Sequence, residues 1–264
     1  MEHKHTSIPV VILAGGQSNR LQVGNKLKWQ LPFNGSHLSD CNHHPDNFLD
    51  NSLINNNTSP PICHKHDQTL LAFIIERLKI QTDRIIINGP YIENSELKKY
   101  KLPIISDQLP GFQGPLSGIL TALHWAKEQG IPWIATVSCD TPFFPEDLLQ
   151  TLSNDILDQP KDGKKRAAIA AFKNRTHPTF GLWSIELYEP LNLAMDVENS
   201  RALNRWALQY AKIVKFEASP DIKDSTELKG SLKVKESTIA KTVSDPFFNI
   251  NTLDDYKEAL SYLA

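Results

Sequence analysis

The chain has 264 residues, with 28 lysines and arginines against 30 aspartates and glutamates, for a formal net charge of −2. Such a length can bury a full α/β core, and a slightly acidic balance lacks the basic excess of a nucleic-acid binder. No apolar run approaches the ~20 residues of a spanning helix, no signal-peptide pattern follows Met1, and Cys41, Cys63 and Cys139 form no convincing disulfide framework. The expectation is a soluble cytoplasmic protein with neither nucleic acid nor membrane as partner.

In chain order, β-branched runs alternate with stretches of helical period, the pattern of a sheet covered by helices. Predicted strands are Pro9–Leu13, Arg84–Asn88, Pro103–Ser106, Trp133–Ser138, Ala167–Phe172, Pro178–Trp183, Lys212–Phe216 and Phe247–Ile250. The first and fourth are apolar throughout, as strands buried on both faces should be. Helical spacing of Leu70, Leu71, Ile74, Ile75 and Leu78 predicts a helix with Asp67 near its N-cap. Another is predicted from about Ser117 to Gln129, ended by Gly130 and Pro132. A third begins at Thr252, where Asp255 can complete a capping box.

Two polar stretches break the alternation. Residues 36–66 are rich in Asn, Asp, Ser and His, and hold too little apolar surface to offset their ordering entropy. They are read as a disordered insertion within a single domain spanning 1–264. Cys41, His43, His44, Cys63, His64 and His66 fall in it, and their spacing matches no familiar zinc finger. The second stretch, 218–245, is lysine-rich.

Ligands of open α/β sheets bind beyond the carboxyl ends of the strands. Applied here, that rule gathers Leu13, Ala14, Gly15 and the loop through Arg20 to Lys26, then Asn88, Asp107 and Asp140. A glycine loop with two cations suits a triphosphate, because residues without Cβ let backbone N–H groups face an anion. Mg²⁺ commonly takes one or two protein oxygens and completes its shell with phosphates and water, so a single aspartate such as Asp140 suffices. The alternative reading makes Asp140 the cap of a helix starting near Pro145. Cys139 reads as a small buried residue rather than a nucleophile. No Ser-His-Asp or Cys-His arrangement is evident.

Five blocks in order resemble the molybdenum cofactor (molybdopterin) guanylyltransferase family: Leu13-Ala14-Gly15-Gly16-Gln17-Ser18-Asn19-Arg20 with Lys26, Gly114-Pro115-Leu116-Ser117-Gly118, Cys139-Asp140-Thr141-Pro142, His177-Pro178-Thr179-Phe180-Gly181-Leu182-Trp183, and Phe248-Asn249-Ile250-Asn251-Thr252. The resemblance implies a three-layer, Rossmann-like nucleotidyltransferase fold with a mostly parallel central sheet. It implies transfer of GMP from GTP to Mo-molybdopterin with release of pyrophosphate, Mg²⁺ as cofactor, and molybdoenzymes or their chaperones as further partners. Leu13, Ala14, Gly15, Lys26, Asn88, Asp107 and Asp140 would bind GTP. Lys26, Arg20 and Asp140 would be catalytic, and Asp140 with Asn251 would hold the metal. Base selection would use the backbone of Leu13-Ala14-Gly15 and the amide of Asn88, with Gly118 leaving room for close approach. The first loop departs from the family pattern: Gln22 and Asn25 stand where a glycine and an aspartate are usual. A molybdopterin cytidylyltransferase and a non-catalytic guanine-nucleotide-binding protein are the alternatives.

Overall fold

Four residues, Val10–Leu13, form β1, and none of them reaches solvent appreciably. The computed structural model describes residues 7–15, 28–33, 68–89, 95–107, 114–157, 165–196, 203–217 and 243–263. The segment 36–66 and the greater part of 218–245 lie outside them. The other strands are β2 (Ile85–Asn88), β3 (Ile104–Ile105), β4 (Trp133–Ser138), β5 (Ala167–Phe172), β6 (Arg175–Ser184) and β7 (Ala211–Phe216). They form one seven-stranded sheet in the order β3-β2-β1-β4-β6-β5-β7. Neighbours are parallel except where β6 lies antiparallel between β4 and β5.

Alternate residues of β1 feed two cores. Val10 and Ile12 join Leu70, Ile74 and Leu78 of α1 (Leu70–Lys79), with a short α2 (Ser95–Lys98) contributing Leu97. Val11 and Leu13 join Leu116, Ile119, Leu120 and Leu123 of α3 (Pro115–Glu128). The first core is completed by α4 (Leu148–Leu157) and α7 (Leu253–Ser261), the second by α5 (Tyr188–Asp196) and α6 (Leu203–Tyr210). Helix, sheet and helix thus make three layers, because strands apolar on both faces can be covered only from both sides.

Local chemistry sets the helix ends. Thr69 is the N-cap of α1, its Oγ1 accepting from Ala72 N–H at 3.2 Å; the predicted cap, Asp67, lies outside the described residues. Helix α3 starts two positions before the predicted Ser117, with Pro115 in its first turn, where proline's missing donor costs nothing. The predicted capping box is present: Asp255 N–H donates to Thr252 Oγ1 at 3.1 Å and Thr252 N–H returns to Asp255 Oδ2 at 2.8 Å. Helix α4 is the helix expected near Pro145, for which Asp140 is the alternative cap. Its first turn is served from α1's end, where Gln81 accepts from Leu149 N–H at 3.0 Å and donates to Pro145 O at 3.1 Å.

Two strand expectations are corrected. Phe247–Ile250 is not a strand; its apolar residues are buried by ring packing instead of ladder pairing. Phe247 stacks on His177 at 4.6 Å and meets Phe180 and Phe216 edge-on at 5.1 and 5.6 Å. Strand β6 is longer than the predicted Pro178–Trp183. It begins at Arg175 because the β5–β6 hairpin turns in two residues, with Lys173 at φ 52°, the left-handed geometry such turns require. Pro178 is accommodated by a bulge: Ile169 pairs with Gly181 and Ala170 with His177, leaving the residues between without a partner on β5.

Candidate active site

The carboxyl ends of β1, β2 and β4, the residues after β3 and the start of α3 enclose a cavity of about 490 Å³. Leu13, Ala14 and Gly15 line it from β1, Asn88 from β2, Asp107 beyond β3, and Ser138, Cys139 and Asp140 from β4. Gly114, Pro115 and Gly118 of the α3 start also line it, as do Lys28, Trp29, Thr179 and Asn249. Every described residue expected to bind nucleotide therefore borders one space. Arg20 and Lys26 lie outside the described residues.

Asn88 is only 2% exposed, and its amide is already engaged. Its Nδ2 donates to Asp107 Oδ1 at 2.9 Å and to Ile105 O at 3.4 Å. A Cβ placed on Gly118 would come within 2.8 Å of both Asn88 Oδ1 and Leu13 Cδ2. The glycine thus makes room for Asn88 and Leu13, and it also lines the cavity. Burial pushes the Asp107 carboxyl above the usual aspartate range, and the Asn88 hydrogen bond opposes that rise.

Asp140 projects from the turn that ends β4. Ser138 Oγ and Thr141 Oγ1 donate to its Oδ1 at 2.5 and 3.3 Å, and its main-chain carbonyl accepts from Ile250 N–H at 2.8 Å. With α4 served by Gln81, Asp140 does not act as that helix's cap. Arg77 of α1 holds the following loop, donating through Nε to the Phe144 carbonyl and through Nη1 to Glu146 at 3.1 Å. Burial, reinforced by the charge of Asp140, pushes the Cys139 thiol up to about 12. It is therefore protonated at neutral pH and no nucleophile.

Lys28 was missed in the sequence. Its Nζ lies 3.1 Å from Asp140 Oδ2 and 3.3 Å from Asn251 Oδ1. A cation between the apolar residues Leu27 and Trp29, two positions past Lys26, was the available clue. Two hard oxygens from separate loops thus converge on one positive centre, which is the donor chemistry Mg²⁺ requires. Among the described residues no cluster of three His, Cys, Asp or Glu side chains exists to hold a metal; Mg²⁺ commonly takes only one or two protein oxygens beside phosphates and water. Asn249 lines the cavity and its Oδ1 is buried without a hydrogen-bond partner. Asn251 instead joins its side chain to Lys28 and its N–H to Asp255 at 2.9 Å, serving both the site and the helix entry. His177 does not line the cavity; it stacks on Phe247, and burial lowers its pKa.

An open, mostly parallel sheet with this cavity at its strand ends is the architecture of Rossmann-like nucleotidyltransferases. The molybdopterin-guanine dinucleotide biosynthesis protein A of Archaeoglobus fulgidus superposes with a TM-score of 0.57 at 17% identity, covering 96% of this chain and 97% of that one. The 2-C-methyl-D-erythritol 4-phosphate cytidylyltransferase of Thermus thermophilus gives 0.52 at 13% identity, over 97% and 98%. At those identities the likeness is one of fold. The MobA-like NTP transferase domain matches residues 61–213. A molybdenum cofactor guanylyltransferase of Bradyrhizobium sp. is 32% identical over 256 residues, 96% of this chain and 92% of the relative. That of Haemophilus influenzae is 35% identical over 193 residues, 73% and 84% respectively. The chain belongs to the molybdenum cofactor guanylyltransferase family. No described helix is long and apolar enough to cross a membrane.

Proposed function

We propose that the protein transfers GMP from GTP to Mo-molybdopterin, forming the guanine dinucleotide cofactor and pyrophosphate. The observation that carries this reading is that, in a chain of this family, Leu13, Ala14, Gly15, Asn88, Asp107 and Asp140 all border one cavity. A phosphate oxygen of the acceptor attacks the α-phosphorus of GTP. The new P–O bond forms as the bond to the β-phosphate's bridging oxygen breaks, and the leaving pyrophosphate takes the electron pair. The nucleophile is already ionised at neutral pH, so no general base is required. Positioning and charge neutralisation remain as the chain's task.

Leu13 to Gly15 offer backbone groups at the end of β1, and the Asn88–Asp107 pair offers a fixed hydrogen-bonding edge. Arg20 and Lys26 are proposed to neutralise the triphosphate. Asp140 and Asn251 would hold Mg²⁺, which when bound screens the phosphates and stabilises the leaving pyrophosphate. Asp140, fixed by Ser138 and Thr141, keeps its second carboxylate oxygen directed at that position.

The test is kcat/KM for GTP, ATP, CTP and UTP with the same molybdopterin acceptor and Mg²⁺. Mispairing at the base edge leaves buried polar groups unmatched at about 1–3 kcal/mol each, so two mismatches give a GTP preference of about a hundredfold or more. CTP performing as well as GTP would overturn the assignment. In Asp140→Ala, kcat should fall by several orders of magnitude with the melting temperature nearly kept. Near-normal turnover in that folded variant would remove Asp140 from the mechanism.

A further inference from the structure

Lys28 begins a single 3-10 turn, Lys28–Gln30, whose backbone is fixed from several sides. Trp29 is 1% exposed. The Leu31 carbonyl accepts from Leu70 N–H of α1 at 2.9 Å, and the Pro32 carbonyl accepts from the Tyr256 hydroxyl of α7. From this anchored base a flexible four-carbon stem carries the ammonium into the cavity, where it contacts Asp140 and Asn251 together. These are the two side chains read above as the ligands of a divalent ion.

We propose that Lys28 is a built-in counter-ion that occupies the metal position and makes divalent-metal binding conditional on the nucleotide. This inference rests on the reading of Asp140 as metal ligand. A divalent ion bound by Asp140 would sit within about 2.0–2.1 Å of its oxygen. The ammonium already takes the Oδ2 direction at 3.1 Å, so the two cations compete for one carboxylate and repel each other. An incoming triphosphate changes the balance, because it supplies anionic oxygens both for the metal and for the displaced ammonium. A lysine can make that exchange: its charge is a point on a long rotatable stem, while the backbone that follows it is held to α1 and α7 through Leu31 and Pro32. Metal without nucleotide would be disfavoured, and Asp140 would not stand as an uncompensated charge in the empty site.

The test is Mn²⁺ binding, followed by electron paramagnetic resonance on the intact protein without nucleotide. Lys28→Met should bind Mn²⁺ at least about tenfold more tightly than the unaltered chain, since a competing charge beside the ligand is removed. Adding Asp140→Asn to Lys28→Met should abolish the gain, whereas Lys28→Arg, which keeps the cation, should show none. If Lys28→Met does not fold, Lys28→Gln carries the same expectation. Unchanged Mn²⁺ affinity in a folded neutral variant, a gain that survives Asp140→Asn, or an equal gain in Lys28→Arg overturns the inference. The underlying assignment is separated by a GTP-dependent Mn²⁺ signal in the otherwise unaltered chain. Its persistence in Asp140→Asn removes Asp140 as a ligand, while its loss together with no Lys28 effect removes only the role of Lys28.

Discussion

Replacing Gly118 with alanine tests how tightly the cavity wall is built. In an open helix the change stabilises by about 1 kcal/mol, through helix propensity alone. Here the new methyl would lie 2.8 Å from Asn88 Oδ1 and 2.8 Å from Leu13 Cδ2. The leucine methyl is the end of a flexible side chain and can rotate away. Asn88 cannot do so freely, because it is buried and its Nδ2 is held by Asp107 at 2.9 Å. Overpacking of this kind costs about 1–3 kcal/mol, so after the propensity gain the net loss should be about 0–2 kcal/mol. At about 2–4 °C per kcal/mol for a chain of this size, the melting temperature should hold or fall slightly. The decisive assay is a double-mutant cycle by urea denaturation. In an Asn88→Ala background the methyl has space, and Gly118→Ala should become stabilising, with a coupling of at least about 1 kcal/mol. A gain near 1 kcal/mol with Asn88 intact would refute the reasoning, since Asn88 would then not constrain the wall.

Asp107→Asn should raise the melting temperature at neutral pH while weakening GTP binding. Burial, the largest influence on Asp107, raises its pKa in the folded chain, so the penalty of its charge is absent below the unfolded aspartate range and is incurred as pH rises through the folded pKa. The advantage of the Asp107→Asn variant should therefore vanish in acid, and an advantage independent of pH would contradict the account. Asp255→Ala removes the acceptor for Asn251 and Thr252 N–H and should cost about 1 kcal/mol by chemical denaturation. Burial, the largest single influence on Asp255, raises its pKa, but the Asn251 and Thr252 hydrogen bonds together bring it below its ordinary value. The contribution is thus present above the unfolded range and fades as pH falls through the folded pKa, so the cost of Asp255→Ala should shrink in acid. Replacing residues 36–66 by a short Gly/Ser linker should leave melting temperature and turnover nearly unchanged, because loop length costs little. Unfolding of the shortened chain, with stoichiometric zinc in the intact one, would favour the metal reading of that segment.

The strands most legible in the sequence were those buried on both faces, since runs such as Val10–Leu13 and Trp133–Ser138 leave no polar side to confuse the pattern. Phe247–Ile250 misled because apolar residues that fill a ring cluster resemble those that fill a sheet. Helix α4, expected near Pro145, begins at Leu148, but its first turn is served by Gln81, too distant in sequence to be read as its partner. The strand-end rule gathers Leu13, Asn88, Asp107 and Asp140, and these border one cavity because parallel neighbours end together. It could not reveal that Asn88 holds Asp107, or that Lys28 reaches Asp140; both depend on side-chain reach across separate segments.

The reversal of β6 determines how such a site can be altered over evolutionary time. Leu13, Asn88 and Asp140 are carried by parallel strands, or by the turn directly after one, in the buried middle of the sheet. A change of length there would shift residues between two cores at once. Thr179 reaches the same cavity from a strand that runs the other way and enters through a bulge next to a two-residue hairpin. Residues gained or lost around that hairpin are absorbed locally, within β5 and β6. The part of the cavity that carries Thr179 can therefore change in shape while the strands that carry Leu13, Asn88 and Asp140 keep their register.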